Sequence, residues 1–564
     1  NNVGGQLTDA GNGSVLPGVT IGVKGTNQGT FSDANGRYTI ATQSSDSLVF
    51  SFVGYITRTI HVGSRTRISV QLEPSNKTLN QVVVVGYGTQ QKKDVTGSVG
   101  IVTMKNIKDM PVAGPDQALA GQIAGIQVST SNGIPGGGPQ VQVRGIGAVG
   151  AGSQPLYVVD GYPLTSSSDE VSNPMNAINP ADIESMAVLK DASATAIYGS
   201  RGANGVVLIT TKRGSSGIPT VQLTANYGIQ AIPQKGRPNL MNGQEFAQFR
   251  KEAIEDNIRF TEHREPTDAD VPEIYRHPEL IGEGTNWFDA ITRNAPMEEI
   301  NLNMSGGTDK IRTYISAGYF NQDGVILNTG YQRFSVRANV DANISDRFKA
   351  GFNIAPSYTT RKGNARGEGR GETFGTASPI EPIYNPDGSY NAYIQSPGTF
   401  GLTNPVMALE QITNKSKSSR ILFNVYGEYE ILKNLKFKST FNVDYQEGSN
   451  EYFRPSTLAN ENAAPPSIPS GSASSGSYLN WLNENTLTYQ YNTSNGHAFT
   501  GLLGYSVQSQ KEQYAGFNGA NFPDDDIKTL NAAATLTGGT DKTEWALLSY
   551  LARINYAYKD KYLV

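Results

Sequence analysis

Cysteine is absent from the 564 residues, so disulfides and thiolate metal sites are excluded. Histidine occurs four times, at His61, His263, His277 and His497, and the wide spacing argues against a zinc site. Charge is scarce as well. Asp, Glu, Lys and Arg make up 17% of the chain, against roughly a quarter in soluble domains. A net charge of −4 and a pI near 5.8 give no basic footprint, so no nucleic-acid partner is expected. No apolar run approaches the length of about 18 residues that a transmembrane helix needs. Barrel strands alternate and keep hydropathy low, so this leaves a membrane β-barrel open. The N-terminus lacks the basic and apolar stretch of a secretory signal, as expected of a mature or trimmed chain. No nucleophile–base pairing or carboxylate dyad stands apart, so no enzymatic activity and no cofactor are expected.

What is present is glycine, 62 residues, and tyrosine, which at 28 outnumbers phenylalanine at 20. Residues 1–74 read as a small β-sandwich. Turn signals at Leu16-Pro17-Gly18, Asp33-Ala34-Asn35-Gly36 and Val53-Gly54-Tyr55 separate short strands at Val19–Lys24, Tyr38–Ala41, Leu48–Phe52 and Arg67–Leu72. Residues 75–93 are a linker around the segment QVVVVGYG. The run Val82, Val83, Val84, Val85, followed by Gly86 and Tyr87, is bound to be extended. An apolar strand between solvated flanks is an aggregation hazard unless a partner pairs with it, and strand addition to another protein's sheet is the mode it would serve. An edge strand of a neighbouring domain is the plainer alternative.

Residues 94–214 read as an α/β unit. It has a short helix at Asp116–Ile123, strands at Gly125–Ser129, Val141–Arg144, Leu156–Val159, Ser185–Leu189 and Gly205–Thr211, and a helix Ala192–Tyr198 capped by Asp191. From about 215 to 564 the pattern becomes long period-2 strands. In Arg333–Ile344 the apolar set is Phe334, Val336, Ala338, Val340, Ala342 and Ile344, and the polar set Arg333, Ser335, Arg337, Asn339, Asp341 and Asn343. The apolar set is expected to face lipid, so Val340→Arg should destabilise, whereas Arg337→Ala on the lumen face should leave assembly intact. Short turns (Gly306–Lys310, around Ser345, Lys433-Asn434, Thr493–Gly496, Lys559-Asp560) alternate with longer loops at roughly 231–297, 321–330, 361–418, 447–477 and 510–545. That rhythm is the one of outer-membrane barrels, with ten strands and an eleventh starting at Lys561.

Two motifs carry little. Gly145 to Gly150 spells a dinucleotide fingerprint, but the required helix does not follow and a plug loop is the reading. Asp524-Asp525-Asp526 is expected to be a solvated loop rather than a cation site.

The pattern LPGVTIGVKGT…GTFSDANGRYTI…LVFSFVGY resembles the carboxypeptidase regulatory-like domain, which implies no catalysis here. QVVVVGYGTQQKKDVTGSV at 81–99 resembles the TonB box and plug start of SusC/RagA-type TonB-dependent transporters. AGQIAGIQV at 120–128, VQVRGIG at 141–147, PLYVVDGYPL at 155–164 and INPADIESMAVLKDASATAIYGSRGANGVVLITTKRG at 178–214 continue it in order. The segment 295–326 is similar too. The resemblance implies a mainly β protein: an outer-membrane barrel of 22 strands in full, about half of them present, with an internal plug and a periplasmic N-terminal module. It implies import of bulky nutrients, oligosaccharides first and peptides second, beneath a SusD-like surface lipoprotein. Energy would come from the TonB–ExbB–ExbD complex through pairing with Val82, Val83, Val84, Val85, Gly86 and Tyr87. Arg144, with Gly145 beside it, would hold the plug gate by pairing with wall carboxylates, or be merely structural. The alternatives are a siderophore or cobalamin receptor and a non-transporting surface adhesin.

Overall fold

The computed structural model describes residues 2–563 apart from 12, 27, 53–54, 74–81, 87, 92–96, 104–111, 131–132, 146, 148–152, 165–172, 364–373, 461 and 560–561. The expected linker residues 75–77, the turn at 53–54, Tyr87 and most of the 145–150 motif thus lie outside the described residues. The chain forms two compact units, Asn1–Val83 with Gln90–Lys93, and Val84–Thr89 with Asp94–Val564.

In the first unit, β1 (Asn2–Asp9), β4 (Arg37–Ala41) and β7 (Val70–Leu72) form one sheet. The strands β2 (Thr20–Val23), β3 (Gly29–Phe31), β5 (Ser47–Ser51) and β6 (Arg58–His61) form the other. Alternation supplies the core: Val3, Leu7, Ile21, Leu48, Phe50 and Leu72 are fully buried. The Asp33–Gly36 turn is made by its own side chain, since Asp33 Oδ1 accepts the N–H groups of Asn35 and Arg37. Tyr38 closes the sandwich by donating its hydroxyl to the Ile68 carbonyl at 2.7 Å.

Ahead of the plug, β8 (Val82–Val85) pairs with β9 (Gly88–Gln91) as a two-stranded sheet. The plug follows, with β10 (Val99–Thr103), β11 (Ile126–Ser129), β12 (Gln140–Val143), β13 (Leu156–Val159), β14 (Tyr162–Pro163), β15 (Ile183–Leu189) and β16 (Val206–Thr211). Five of these form a sheet in the order β10-β15-β16-β13-β14, with β10 at its edge, while β11 and β12 pair separately. The helix expected at Asp116–Ile123 is only a 3₁₀ turn, Gln117–Leu119, ended by the left-handed Gly121. The helix after Asp191 is α1 (Ala192–Thr195), continuing as 3₁₀ turns through Gly202 because Gly199 breaks the helical path.

The wall is one antiparallel sheet in sequence order. It runs through β17 (Gly217–Gln230), β18 (Ala295–Gly307), β19 (Ile311–Asp323), β20 (Gly330–Asn343) and β21 (Phe348–Lys362). The small pair β22 (Tyr393–Ile394) and β23 (Leu402–Thr403) lies in a loop. The wall resumes with β24 (Thr413–Leu432), β25 (Leu435–Arg454), β26 (Ser470–Asn492), β27 (His497–Ala520), β28 (Thr535–Tyr558) and β29 (Tyr562–Leu563). The sheet does not close, with β17 at one edge and β29 at the other.

Over the stretches that face the plug, the wall strands sort their residues by polarity. On β20, Arg333, Ser335, Arg337 and Asn339 are buried against the plug, whereas Phe334 and Val336 are half exposed. The neighbours repeat this. Ile300, Leu302, Ile315, Phe352, Val425, Phe441 and Tyr505 form an exposed apolar exterior, and Asn301, Ser316, Asn353, Asn442, Asp444 and Gln508 face inward. So large an exposed apolar surface needs a non-aqueous neighbour. Aromatic pairs Phe348–Tyr429, Tyr489–Tyr491, Phe499–Tyr556 and His497–Tyr558 line the short-turn rim, where an interfacial girdle belongs. Val336→Arg is expected to cost about 2–4 kcal/mol and Val340→Arg, three residues from the end of β20, about 1 kcal/mol or less, because the penalty falls with distance from the bilayer midplane. Heat-modifiability of the two variants measures the difference.

The loops at the other rim are folded. Helix α2 (Gly243–Asn257) starts on a capping box in which Asn242 and Glu245 each bind the other's backbone N–H. Two short helices, α3 (Glu273–Arg276) and α4 (Trp287–Ile291), follow, and α5 (Pro405–Gln411) is capped by Asn404. Trp287 is buried and donates from Nε1 to the Ser378 carbonyl at 2.9 Å, joining the first long loop to the next.

Candidate functional site

The plug is held to the wall through buried polar side chains. Asp160 ends β13 at a left-handed φ of 50°. Its carboxylate accepts the Thr211 N–H and hydroxyl at 3.0 and 2.6 Å, and the Asn353 amide from the wall at 2.8 Å. Asp182 accepts the wall hydroxyls of Tyr314 at 3.0 Å and Ser316 at 2.5 Å. Between the two carboxylates lies the wall's Arg337. It is 3.7 Å from Asp160 and 3.6 Å from Asp182, and it donates a hydrogen bond to Asn353 Oδ1 at 3.0 Å. Arg213, where the plug gives way to the wall, lies 3.6 Å from Asp160 and donates to Asp341 at 3.3 Å, and Tyr426 donates to the same Asp341 oxygen at 2.7 Å. Gly214 comes next, so close to the backbone of Arg312 and Thr313 that no side chain fits there.

A second set of wall cations reads plug carbonyls. Arg333 donates to Ala113, Asn176 and Ile178, and Arg420 to Pro174 at 3.0 Å while Asp444 holds it bidentately at 2.8 and 2.6 Å. Asn179 donates to Asn301 at 2.7 Å and Arg201 to Gln508 at 2.7 Å. Arg337 is therefore no free lumen residue. The sequence shows its facing but not that two plug carboxylates meet it; Arg337→Ala is still expected to leave barrel assembly intact, with its cost falling on the plug.

Arg144 and Gly145 sit elsewhere. Both are exposed and both have positive φ, at 59° and 91°, turning the chain after β12. The Arg144 N–H donates to Gly125, and its charge helps hold a plug carboxyl, that of Asp191, rather than a wall group. Desolvation raises that carboxyl, but hydrogen bonds from Ser98, Ala194 and Ser193, with Arg144, keep it below the usual range. The ties between plug and wall run instead through Asp160, Asp182 and Arg213, residues that sequence reading passed over. The signal available was the VVDG and NPADIES segments, in which an acid follows or interrupts apolar residues.

Of the segment expected to couple to TonB, Val82, Val83, Val84 and Val85 are extended and Gly86 is buried, while Tyr87 lies outside the described residues. Asp524 accepts the N–H groups of Asp526 and Ile527, and Asp525 accepts the Ser456 N–H and hydroxyl, so this acidic run builds a turn and a loop contact. Among the described residues no group of three His, Cys, Asp or Glu could hold a metal.

Inside the plug, burial pushes the Asp116 carboxyl up to about 6, against hydrogen bonds from Asn173 and the Gln117 N–H. Its unfolded value is near 3.9. The folded pKa is raised, so the contribution to stability is fully present below about pH 4 and is lost as pH rises through about 6. Asp116→Asn should flatten that dependence, worth about 2–3 kcal/mol, as read from the urea midpoint for protease protection of the plug at pH 4 and 7.

An apolar-faced antiparallel wall gripping an α/β plug is the organisation of TonB-dependent receptors. The TonB-dependent Receptor Plug Domain family matches residues 91–206, and the CarboxypepD_reg-like domain matches residues 3–84. TonB-dependent receptor P3 of Formosa agariphila is 36% identical over all of this chain and 53% of its own length. TonB-dependent receptor SusC of Bacteroides thetaiotaomicron is 28% identical over 98% of this chain and 54% of its own. The RagAB peptide importer in its open-open state superposes with a TM-score of 0.72 and 28% identity, over 85% of this chain and 55% of that one. The chain belongs to the SusC/RagA-type TonB-dependent receptors. It spans about half the length of the curated relatives it matches.

Proposed function

We propose that the protein takes part in TonB-driven import of bulky nutrients across the outer membrane. Its organisation is read as a sandwich module at 1–74, a coupling segment at 75–93, a plug at 94–214 and barrel wall from 215. The observation that carries the reading is the wall, apolar outside and polar inside, gripping a separate domain that would otherwise leave an open pore. The grip suits a plug that must yield: three charged pairs in it, Asp160–Arg213, Asp160–Arg337 and Asp182–Arg337, are longer than hydrogen bonds. Buried ion pairs of that quality do little more than offset their own desolvation. The outer membrane has no nucleotide pool, so energy arrives mechanically through strand addition of TonB, driven by ExbB and ExbD, to Val82–Tyr87. Oligosaccharides are the substrate class proposed first. Peptides stand beside them, because a superposing relative is named a peptide importer. A SusD-like lipoprotein would meet the folded loops. Growth of a deletion strain on a panel of glycans and peptides tests this: loss on one class, restored by the gene, is expected. Unimpaired growth and uptake on every member would remove the import reading.

A further inference from the structure

The plug carries a buried carboxyl that no cation balances. Asp116 stands at the head of the 3₁₀ turn Gln117–Leu119 and is 1% exposed. Its Oδ1 accepts the Gln117 N–H at 3.0 Å, and its Oδ2 accepts the Asn173 amide. Among the described residues it has no ion-pair partner. From β13 the phenol of Tyr157 faces it, kept protonated by burial and by the Asp116 charge. From the wall, Arg333 stops at the Ala113 carbonyl of the same turn.

A second buried group beside it is left over. Asn176 turns its amide nitrogen to the Gly136 carbonyl, which fixes the flip of the amide. Its Oδ1 then has no hydrogen-bond partner among the described residues. An unpaired buried acceptor is costly. The two oxygens converge on one point, since a Cβ at Gly114 would lie 2.6 Å from Asp116 Oδ1 and 3.1 Å from Asn176 Oδ1. Two acceptors side by side repel, and a proton on the carboxyl turns that repulsion into a hydrogen bond.

The side chains of Asp116, Asn173 and Asn176 join residues 113–119, the loop at Gly136 and residues 173–178. The wall grips these same segments. Arg333 donates to Ala113, Asn176 and Ile178, Tyr331 donates to the Asn176 carbonyl at 3.0 Å, and Arg420 donates to Pro174 at 3.0 Å.

We propose that Asp116 is protonated in the seated plug and donates to the Asn176 amide oxygen, forming a proton-operated latch between the two turns that Arg333 grips. When the latch opens, the proton passes to solvent and a carboxylate is left facing the amide oxygen. Burial pushes the folded pKa up to about 6, above the unfolded value. The hold is therefore complete in acid and is lost as pH rises through about 6. Asp116 is a positioning residue, since it touches no substrate and acts through the carbonyls that the wall arginines read.

The test uses the full receptor, purified in detergent and titrated from about pH 5 to about pH 8, where ordinary carboxyls are mostly ionised. Infrared difference spectra read the carbonyl stretch of a protonated carboxyl, and the urea midpoint for protease protection of the plug reads the hold. In the wild type, a carboxyl band that Asp116→Asn removes should fade with a midpoint near pH 6, and the urea midpoint should fall with it. Asp116→Asn keeps a neutral donor and should show one urea midpoint across the range. Gly114→Ala keeps every titratable group but sets a methyl between the two oxygens. It should lower the midpoint of the band by about one pH unit, the effect of one lost hydrogen bond. Heat-modifiability confirms that each barrel is folded. No such band in acid overturns the protonated carboxyl, and an unmoved midpoint in Gly114→Ala overturns Asn176 as its acceptor. A band that fades while the urea midpoint stays level overturns the latch. A urea midpoint that follows sodium at fixed pH would make this a cation site and overturn the proton.

Discussion

Proline at Val84 is expected to reduce substrate uptake to background while leaving barrel assembly and substrate binding to whole cells at wild-type levels. Strand addition draws its affinity from backbone N–H and C=O groups, and proline removes one donor and fixes φ in the middle of β8. The change also breaks the pairing with β9, so the segment is freed yet cannot be captured. Val84→Ala keeps the backbone and should cost only part of the rate, through lost β-propensity and side-chain contact. Uptake at the wild-type rate in Val84→Pro would take the coupling role from this segment. Binding lost together with uptake would make it a structural strand.

The second large effect is expected at Arg337. Truncation to Ala leaves Asp160 and Asp182, both nearly inaccessible, without the guanidinium between them. Removing one partner of a buried charge cluster costs about 3–5 kcal/mol, because the remaining charges stay buried. The wall's backbone ladder on β20 is untouched, so the barrel should assemble while the plug loosens. Protease nicking within residues 94–214 and entry of large hydrophilic antibiotics are the measurements. Lysine should not substitute well, since one ammonium cannot face two carboxylates as a planar fork does. Adding Asp182→Asn to Arg337→Ala should recover part of the loss by removing one of the unpaired charges. A plug as protected in Arg337→Ala as in the wild type would show that Arg213, Asn353 and the hydroxyls of Tyr314 and Ser316 suffice.

Much of the wall was legible in the sequence because lipid on one side and polar plug on the other force strict alternation. Phe334, Val336, Arg333 and Arg337 fall on the sides their chemistry assigns. Where that contrast stops, the reading stopped with it. The loops expected at 447–477 and 510–545 contain large parts of strands: β25 runs on to Arg454, β26 starts at Ser470, β27 reaches Ala520 and β28 starts at Thr535. The run Ser470–Ser477 is serine, glycine and alanine, with no apolar face to betray a strand, since a strand wet on both sides needs none. In the long loop before β18, Asn242 and Glu245 announced the start of α2, but a turn-rich context hid it. The ties between plug and wall were beyond reach for another reason. Asp182 and Arg337 lie 155 positions apart, and only the closed fold brings them together.

The wall strands are not equally long, and that asymmetry shapes the entrance. Strands β17–β21 hold 13 to 15 residues, whereas β26–β28 hold 23 or 24. At about 3.3 Å per residue and a tilt near 40°, these rise roughly 35 Å and 60 Å along the barrel normal. An apolar band of about 25 Å accounts for most of the first height and less than half of the second. The tall side therefore stands as a palisade well clear of the lipid, while the low side carries the helical loops built around Trp287 and α2. Along this stretch of wall the rim is oblique, a sheer β-face at β26–β28 falling to a ledge of helical loops beside β17–β21.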